Sequence, residues 1–244
     1  MIQPDADDPL DMFEDWFADE GLTVQTVKPF EGQAIPQHVQ TSGLVVLGGD
    51  MGVHDEGAHP WLLDIQILLA DAVRSEAPTL GICLGSQLLA AACGGVIELG
   101  SRGMEVGTPT ITLRPEAHDD ELLGDLVWPS IFPSMHRDEI RILPPGAPWL
   151  AESDMYKHQA FRVGRRAWGV QFHPEVSVGR FTSWSDHKEE DPTTVERIDR
   201  GVSQYAATAD QVKVHAEPLA RRFAQITIQA AITRLASHQS QTRF

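Results

Sequence analysis

The sequence predicts an α/β protein: an open, mostly parallel sheet flanked by helices, with an added small β excursion and C-terminal helices. Three observations lead there. Short apolar runs alternate along the chain with segments of helical periodicity, the pattern of β–α alternation. The clearest strand, Leu44-Val-Val-Leu47, is bounded by Gly43 and Gly48, residues that punctuate turns. The residues with the most reactive chemistry follow such runs, at the carboxyl ends of strands where open α/β sheets place their sites.

Taken in order, Asp5 to Asp19 is acidic and broken by proline, and Leu10 to Trp16 reads as a helix with Met12, Phe13, Trp16 and Phe17 as its apolar face. Leu22 to Val27 reads as a strand. Trp61 to Val73 repeats Leu62, Ile65, Leu69 and Val73 at helical spacing. Pro78 to Ile82 is a strand, and Leu84 to Cys93 a helix ended by Gly94-Gly95. Thr108 to Arg114 alternates as a strand, and Ala160 to Phe172 reads as a hairpin around Gly164. Beyond Val176, Ser185 to Glu190 reads as a charged loop, and Val195 to Gln204 and Leu219 to Leu235 as two helices. Ala220, Phe223, Ile226 and Ala230 stripe the second, which predicts a helix packed back on the sheet rather than a free partner-binding arm. The whole chain, 1–244, is expected to be one domain, with a catalytic core at about 20–178 and a C-terminal helical extension at about 179–244.

Within this frame, Thr79-Leu-Gly-Ile-Cys-Leu-Gly-Ser-Gln-Leu-Leu-Ala90 sets Cys83 between a strand and a helix. It is the cysteine version of a nucleophile elbow, a tight strand-to-helix turn that exposes its apex. Gly81 and Gly85 tolerate the close contacts and unusual dihedrals of such a turn. The positive end of the following helix favours a thiolate, the reactive form. Downstream, Gly169-Val-Gln-Phe-His-Pro-Glu-Val176 supplies a base and an acid. Residues two apart in an extended segment share a side, so Glu175 is placed to hold the His173 imidazole in one tautomer and support its charge. His-Pro-Glu alone is a common sequence; its conjunction with the Cys83 elbow points to acyl transfer on an amide.

These pieces, together with Leu47-Gly-Gly-Asp-Met-Gly52, resemble the class I (triad) glutamine amidotransferases. The likeness runs from about residue 20 to 178 and is closest to stand-alone proteins of the kind labelled as the amidotransferase domain of GMP synthase. It implies a flavodoxin-like sheet. It further implies that Cys83 attacks the glutamine side-chain carboxamide, that His173 carries a proton to the departing ammonia, and that Glu175 orients His173. It implies an oxyanion hole from the backbone N–H groups of Gly49 and Leu84. Gln87 matches a position that helps hold glutamine, and Glu105 and Val106 lie in a segment, Met104-Glu-Val-Gly107, whose backbone lines the pocket. His136 and Asp138 match the family's His-Gly-Asp element, whose aspartate meets the substrate α-amino group. Two departures stand out. Asp50 replaces a common proline, which predicts a looser, more acidic turn. Arg137 replaces the glycine of His-Gly-Asp; either the backbone is strained there or the guanidinium adds a contact to a substrate carboxylate.

Composition sets further bounds. A net charge of −16 argues against a nucleic-acid surface. Cys83 and Cys93, on one helix, stand about 15 Å apart, too far for a disulfide, so free thiols and a cytoplasmic location are expected. The absence of a secretory leader agrees with that location. No apolar run approaches a membrane span. The histidines lack metal-site spacing, so no metal and no cofactor are expected; His54 and His59 read as solvated surface. There is no phosphate-binding Gly-Lys-Ser/Thr loop and no room for a second catalytic domain. Released ammonia would therefore serve a separate synthase subunit. Two alternatives stay open at this stage: a γ-glutamyl amide or peptide hydrolase, and a non-catalytic regulatory or binding subunit.

Overall fold

The structure is a computed structural model that describes residues 1–39, 42–185 and 191–241, with the backbone alone for 237–241. In chain order the elements are α1 (Met12–Asp19), β1 (Leu44–Val46), α2 (Trp61–Arg74), β2 (Thr79–Ile82), α3 (Leu84–Ala92), β3 (Val96–Leu99), β4 (Glu105–Gly107), β5 (Thr110–Leu113), β6 (Ser130–Ile131), β7 (Ser134–His136), β8 (Asp138–Ile142), β9 (Trp149–Ser153), β10 (Ala160–Val163), β11 (Ala167–Val170), α4 (Val178–Ser183) and α5 (Pro192–Gln241).

Seven strands form the main sheet in the order β1-β2-β11-β10-β9-β5-β6. Its site-bearing half, β1-β2-β11, is parallel, and the pairs from β11 outward are antiparallel. The β excursion adds two antiparallel ribbons, β3–β8 and β4–β7. Parallel strands are covered on both faces, which explains why β1, β2 and β11 are buried throughout. Alternation sends Val45, Leu47, Leu80 and Ile82 to the face packed by Phe13, Phe17 and Phe223, while Leu44 and Val46 face Ile65, Leu69 and Leu88 of the α2–α3 side.

Three sequence expectations need correction. The strand at Leu22–Val27 shrinks to one bridge at Val27. The N-terminus itself takes the place beside β1: Ile2 is 1% exposed and bridges both Val27 and Val46 in parallel. The two C-terminal helices are one, continuous through Pro218. Proline removes a helical hydrogen bond, but Pro218 and Val214, whose carbonyl is released, are both exposed to water. Meanwhile Val212, Ala216, Leu219, Ala220 and Phe223 stay buried across the proline. His59 is half-buried, its ring edge on Trp61, whereas His54 is exposed. The expected loop at Ser185–Glu190 lies, past Ser185, outside the described residues. α5 does pack back on the body: Ala220, Phe223, Ile226 and Ala230 are all buried.

Helix α3 sits unusually close to the sheet, and glycines allow it. Gly81 and Gly169 are register partners on neighbouring strands. A Cβ on Gly81 would lie 2.5 Å from the Gly85 carbonyl oxygen, and one on Gly169 would lie 3.1 Å from Ser86 Cβ and run into the Phe161 ring. On Gly85 a Cβ would collide with the carbonyl oxygen of Val46 in β1. Because that obstacle is backbone, Gly85→Ala is expected to destabilise the fold by about 3 kcal/mol, the upper end for overpacking. Urea unfolding would measure it; a loss below about 0.5 kcal/mol would mean the elbow has room that this geometry denies.

Candidate active site

Cys83 caps α3, one residue past β2, with φ 49° and ψ −109°. The unusual dihedral therefore falls on the cysteine, not on the flanking glycines, which serve close approach instead. Such a conformation costs a non-glycine residue about 1–3 kcal/mol and persists only where surrounding contacts enforce it. Here the Cys83 N–H donates to the Val170 carbonyl at 2.9 Å, and the Cys83 carbonyl accepts from the Ser86 and Gln87 N–H groups at 3.0 Å. Ser86 Oγ also donates to that carbonyl at 2.7 Å.

β11 runs beside β2, so the segment after it reaches the same edge of the sheet. His173 is held by its N–H on the Pro133 carbonyl at 2.7 Å, and its Nδ1 meets Glu175 Oε1 at 2.7 Å. Cys83 acts on the same ring electrostatically. Burial alone would lower the histidine's proton affinity. The charges of Glu175 and Cys83 and the hydrogen bond to Glu175 outweigh it, holding His173 well above the ordinary histidine range. Both His173 and Glu175 are nearly fully buried. The Trp184 ring leans on His173 with centroids 4.9 Å apart. After Glu175, Tyr205 of α5 donates to the Val176 carbonyl at 2.6 Å and secures the segment from behind.

The Gly48-Gly49 turn closes the site from β1. A Cβ on Gly49 would lie 3.1 Å from Leu84 Cδ2, so the Leu84 side chain packs against the turn. Within the described residues neither the Gly49 nor the Leu84 N–H donates a hydrogen bond. Asp50, in place of the proline, gives this turn a tie of its own. Its N–H, which proline lacks, donates to Asp5 Oδ2 at 3.2 Å and ties the turn to the N-terminal segment.

Gln87 is buried and already engaged. Its Nε2 donates to Gln171 Oε1 at 3.2 Å and, at 3.4 Å, to the Asp138 carbonyl. Gln171 Nε2 in turn donates to Cys83 Sγ at 3.6 Å. Sequence reasoning passed over Gln171, although it stands two residues before His173 in an extended run and so faces the same side. The same Asp138 carbonyl accepts from His136 Nδ1 at 2.9 Å, and His136 Nε2 meets Glu105 Oε2 at 2.9 Å. Glu105 is 4% exposed and also accepts from Ser153 Oγ and Gln159 Nε2, both at 2.6 Å.

Glu105 and His136 therefore spend their side chains on each other, in a network joined to Cys83 through Asp138, Gln87 and Gln171. Val106 pairs with Met135 in the β4–β7 ribbon and packs against Gly201 of α5. The Asp138 carboxyl is half-buried beside the Gly52–Asp55 loop. Burial raises its proton affinity, the Asp55 carboxylate adds to that, and His136, His54 and Arg137 oppose it. Arg137 has no positive φ, so the strain considered for it is absent.

The comparisons with known proteins agree on one family. Residues 14–185 match the family described as "Glutamine amidotransferase class-I". The chain is 34% identical over 143 residues to a protein of Natronomonas pharaonis named as the glutamine-hydrolyzing subunit of GMP synthase, covering 58% of this chain and 70% of that one. It is 34% identical over 166 residues to the protein of the same name from Archaeoglobus fulgidus, covering 66% of this chain and 80% of that one. Among solved structures, a glutamine amidotransferase from Thermotoga maritima superposes with a TM-score of 0.78 at 26% identity, over 91% of this chain and 96% of that one. A second, from Methylobacillus flagellatus, gives 0.75 at 26% identity, over 94% and 93%.

Proposed function

The chain belongs to the class I glutamine amidotransferases, and from that premise we propose that it hydrolyses the side-chain amide of glutamine through a Cys83 γ-glutamyl thioester. One observation carries the reading: Glu175 holds the His173 ring by Nδ1 while Cys83 acts on the same ring, the grouping a nucleophile, a base and an orienting carboxylate require. Cys83 Sγ attacks the carboxamide carbon while its proton resides on His173. The N–H groups of Gly49 and Leu84, uncommitted within the described residues, receive the oxyanion; such a donor is worth about 3 kcal/mol in the transition state. The carbon–nitrogen bond breaks as His173 returns the proton to nitrogen, and ammonia leaves. Water, losing a proton to His173, then cleaves the thioester, glutamate departs and the thiol is restored.

Binding follows the same reading. Asp138 meets the substrate α-amino group, and the backbone of Glu105 and Val106 lines the pocket. Gln87 acts from behind, since its amide is engaged by Gln171. His136 positions the Glu105 segment. The relatives named as the glutamine-hydrolyzing part of GMP synthase support a partner: a separate synthase subunit that takes up the ammonia. The whole chain works as one domain in this proposal, because α5 buttresses both the Glu175 segment and the β4 ribbon. No helix among the described residues is long and apolar enough to cross a membrane, which accords with action in the cytoplasm.

The test is to incubate the chain with glutamine and with a panel of γ-glutamyl amides, following glutamate and ammonia. Turnover favouring glutamine is the expected result. Preference for substituted amides would make it a γ-glutamyl hydrolase instead. Silence toward both, with Cys83 unreactive to a glutamine-mimicking electrophile, would make it a non-catalytic binding protein.

A further inference from the structure

The N-terminal segment brings a carboxyl group to His173 that neither the elbow nor the His-Pro-Glu run contains. Asp8 is 8% exposed. A Cβ placed on Gly48 would lie 2.6 Å from Asp8 Oδ2 and 2.8 Å from His173 Cε1, so both atoms bound the same small space over the oxyanion turn. Only a glycine at 48 lets them share it. No hydrogen bond within the described residues satisfies the Asp8 carboxyl, and its strongest charged neighbour is His173.

The segment is held in place on three sides. Asp5 accepts from the Asp50 N–H of the oxyanion turn at 3.2 Å. Trp184, which leans on the His173 ring, donates through Nε1 to the Asp7 carbonyl at 3.0 Å. The Met12 N–H donates to the Glu175 carbonyl at 3.0 Å.

We infer that Asp8 is a positioning residue for the reaction: seated at the Cε1 edge of His173, its carboxylate supports the imidazolium form and keeps that proton available for the departing nitrogen. The inference rests on the reading of Cys83 and His173 as the reacting pair. His173 then feels three acidic groups, with Glu175 at Nδ1, Asp8 toward Cε1, and Cys83. An opposite charge at such a distance favours the charged form of a titrating group. The groups that act on Asp8 itself are His173, which favours its ionisation, and Glu175, Asp5 and Asp7, which oppose it. Burial is the largest influence and pushes Asp8 up to about 7. Its support for His173 is therefore present above neutral pH and withdrawn below it.

The experiment follows the Cε1–H signal of His173 by NMR across pH in a histidine-labelled chain, assigned by its loss in His173→Gln. The parent is compared with Asp8→Asn and Asp8→Ala, and with Asp7→Asn as a charge control in the same segment. Asp8→Asn keeps the shape and Asp8→Ala does not, so an effect of charge appears in both. The expected result is a His173 midpoint lowered by about one unit in both Asp8 variants and unmoved in Asp7→Asn.

In parallel, kcat/KM for glutamine in Asp8→Asn is expected to match the parent at pH 6, where Asp8 is itself protonated. By pH 8.5 it falls about tenfold behind. An unchanged midpoint, or an equal loss of activity at every pH, overturns the inference. The midpoint needs no substrate. A chain whose midpoint moves but which ignores glutamine retains this role for Asp8 and loses the substrate reading instead.

Discussion

Cys83→Ala is expected to lower glutamine hydrolysis by roughly a thousandfold or more, because the proposed mechanism forms its acyl intermediate on the thiol that alanine removes. Cys83→Gly is expected to lose as much activity while leaving the protein at least as stable as the parent. The reason lies in the backbone. Cys83 holds φ 49° and ψ −109°, outside the regions that side-chain-bearing residues favour. Relief of that strain returns about 1–3 kcal/mol. The added chain entropy of glycine, about 1 kcal/mol, and the loss of a small buried side chain offset part of it. Urea unfolding run beside the activity assay tests both halves. A Cys83→Gly chain less stable by more than about 2 kcal/mol would mean that the elbow stores no strain at its apex.

Glu105→Ala is expected to destabilise the fold by about 3–5 kcal/mol, the range for removing one partner from a buried pair. His136 Nε2, Ser153 Oγ and Gln159 Nε2 all point at this carboxylate. Alanine leaves the three without an acceptor in a region closed to water, and unpaired buried polar groups cost more than the bonds are worth. His136 also bonds the Asp138 carbonyl, which Gln87 shares. The loss is therefore expected to reach the pocket as a raised KM for glutamine. Thermal unfolding should drop by about 10 °C, given about 2–4 °C per kcal/mol in a protein of this size. A loss below about 1 kcal/mol would show that Glu105 is replaceable and that the network is not what holds the β4–β7 ribbon.

The Cys83 turn and the His173–Glu175 pair were legible in the sequence because each depends on a short stretch of chain. A cysteine between two glycines after a strand has few bland explanations, and residues 173 and 175 share a side through backbone geometry alone. The helices α1, α2 and α3 were legible for the same reason, since periodicity is local. Only tertiary structure decided where Ile2 would pair, because a single residue bridging Val27 and Val46 leaves no period to detect. Continuity of α5 through Pro218 was likewise settled by which helix face met water, something proline's own preference does not report.

The surroundings of the site divide in the same way. Gly169 looked like any glycine in a strand until its register beside Gly81 placed both under the first turn of α3. Glu105 read only as part of a pocket-lining segment until the ribbons closed three donors around it. Asp8 sat in an acidic, proline-broken stretch with nothing to single it out. Its proximity to His173 follows from pairing between distant parts of the chain. The sequence by itself singled out Cys83, His173 and Glu175 as candidates and how His173 and Glu175 meet. The folded sheet alone decided which distant groups surround them, because burial, register and charge proximity are properties of chains brought together.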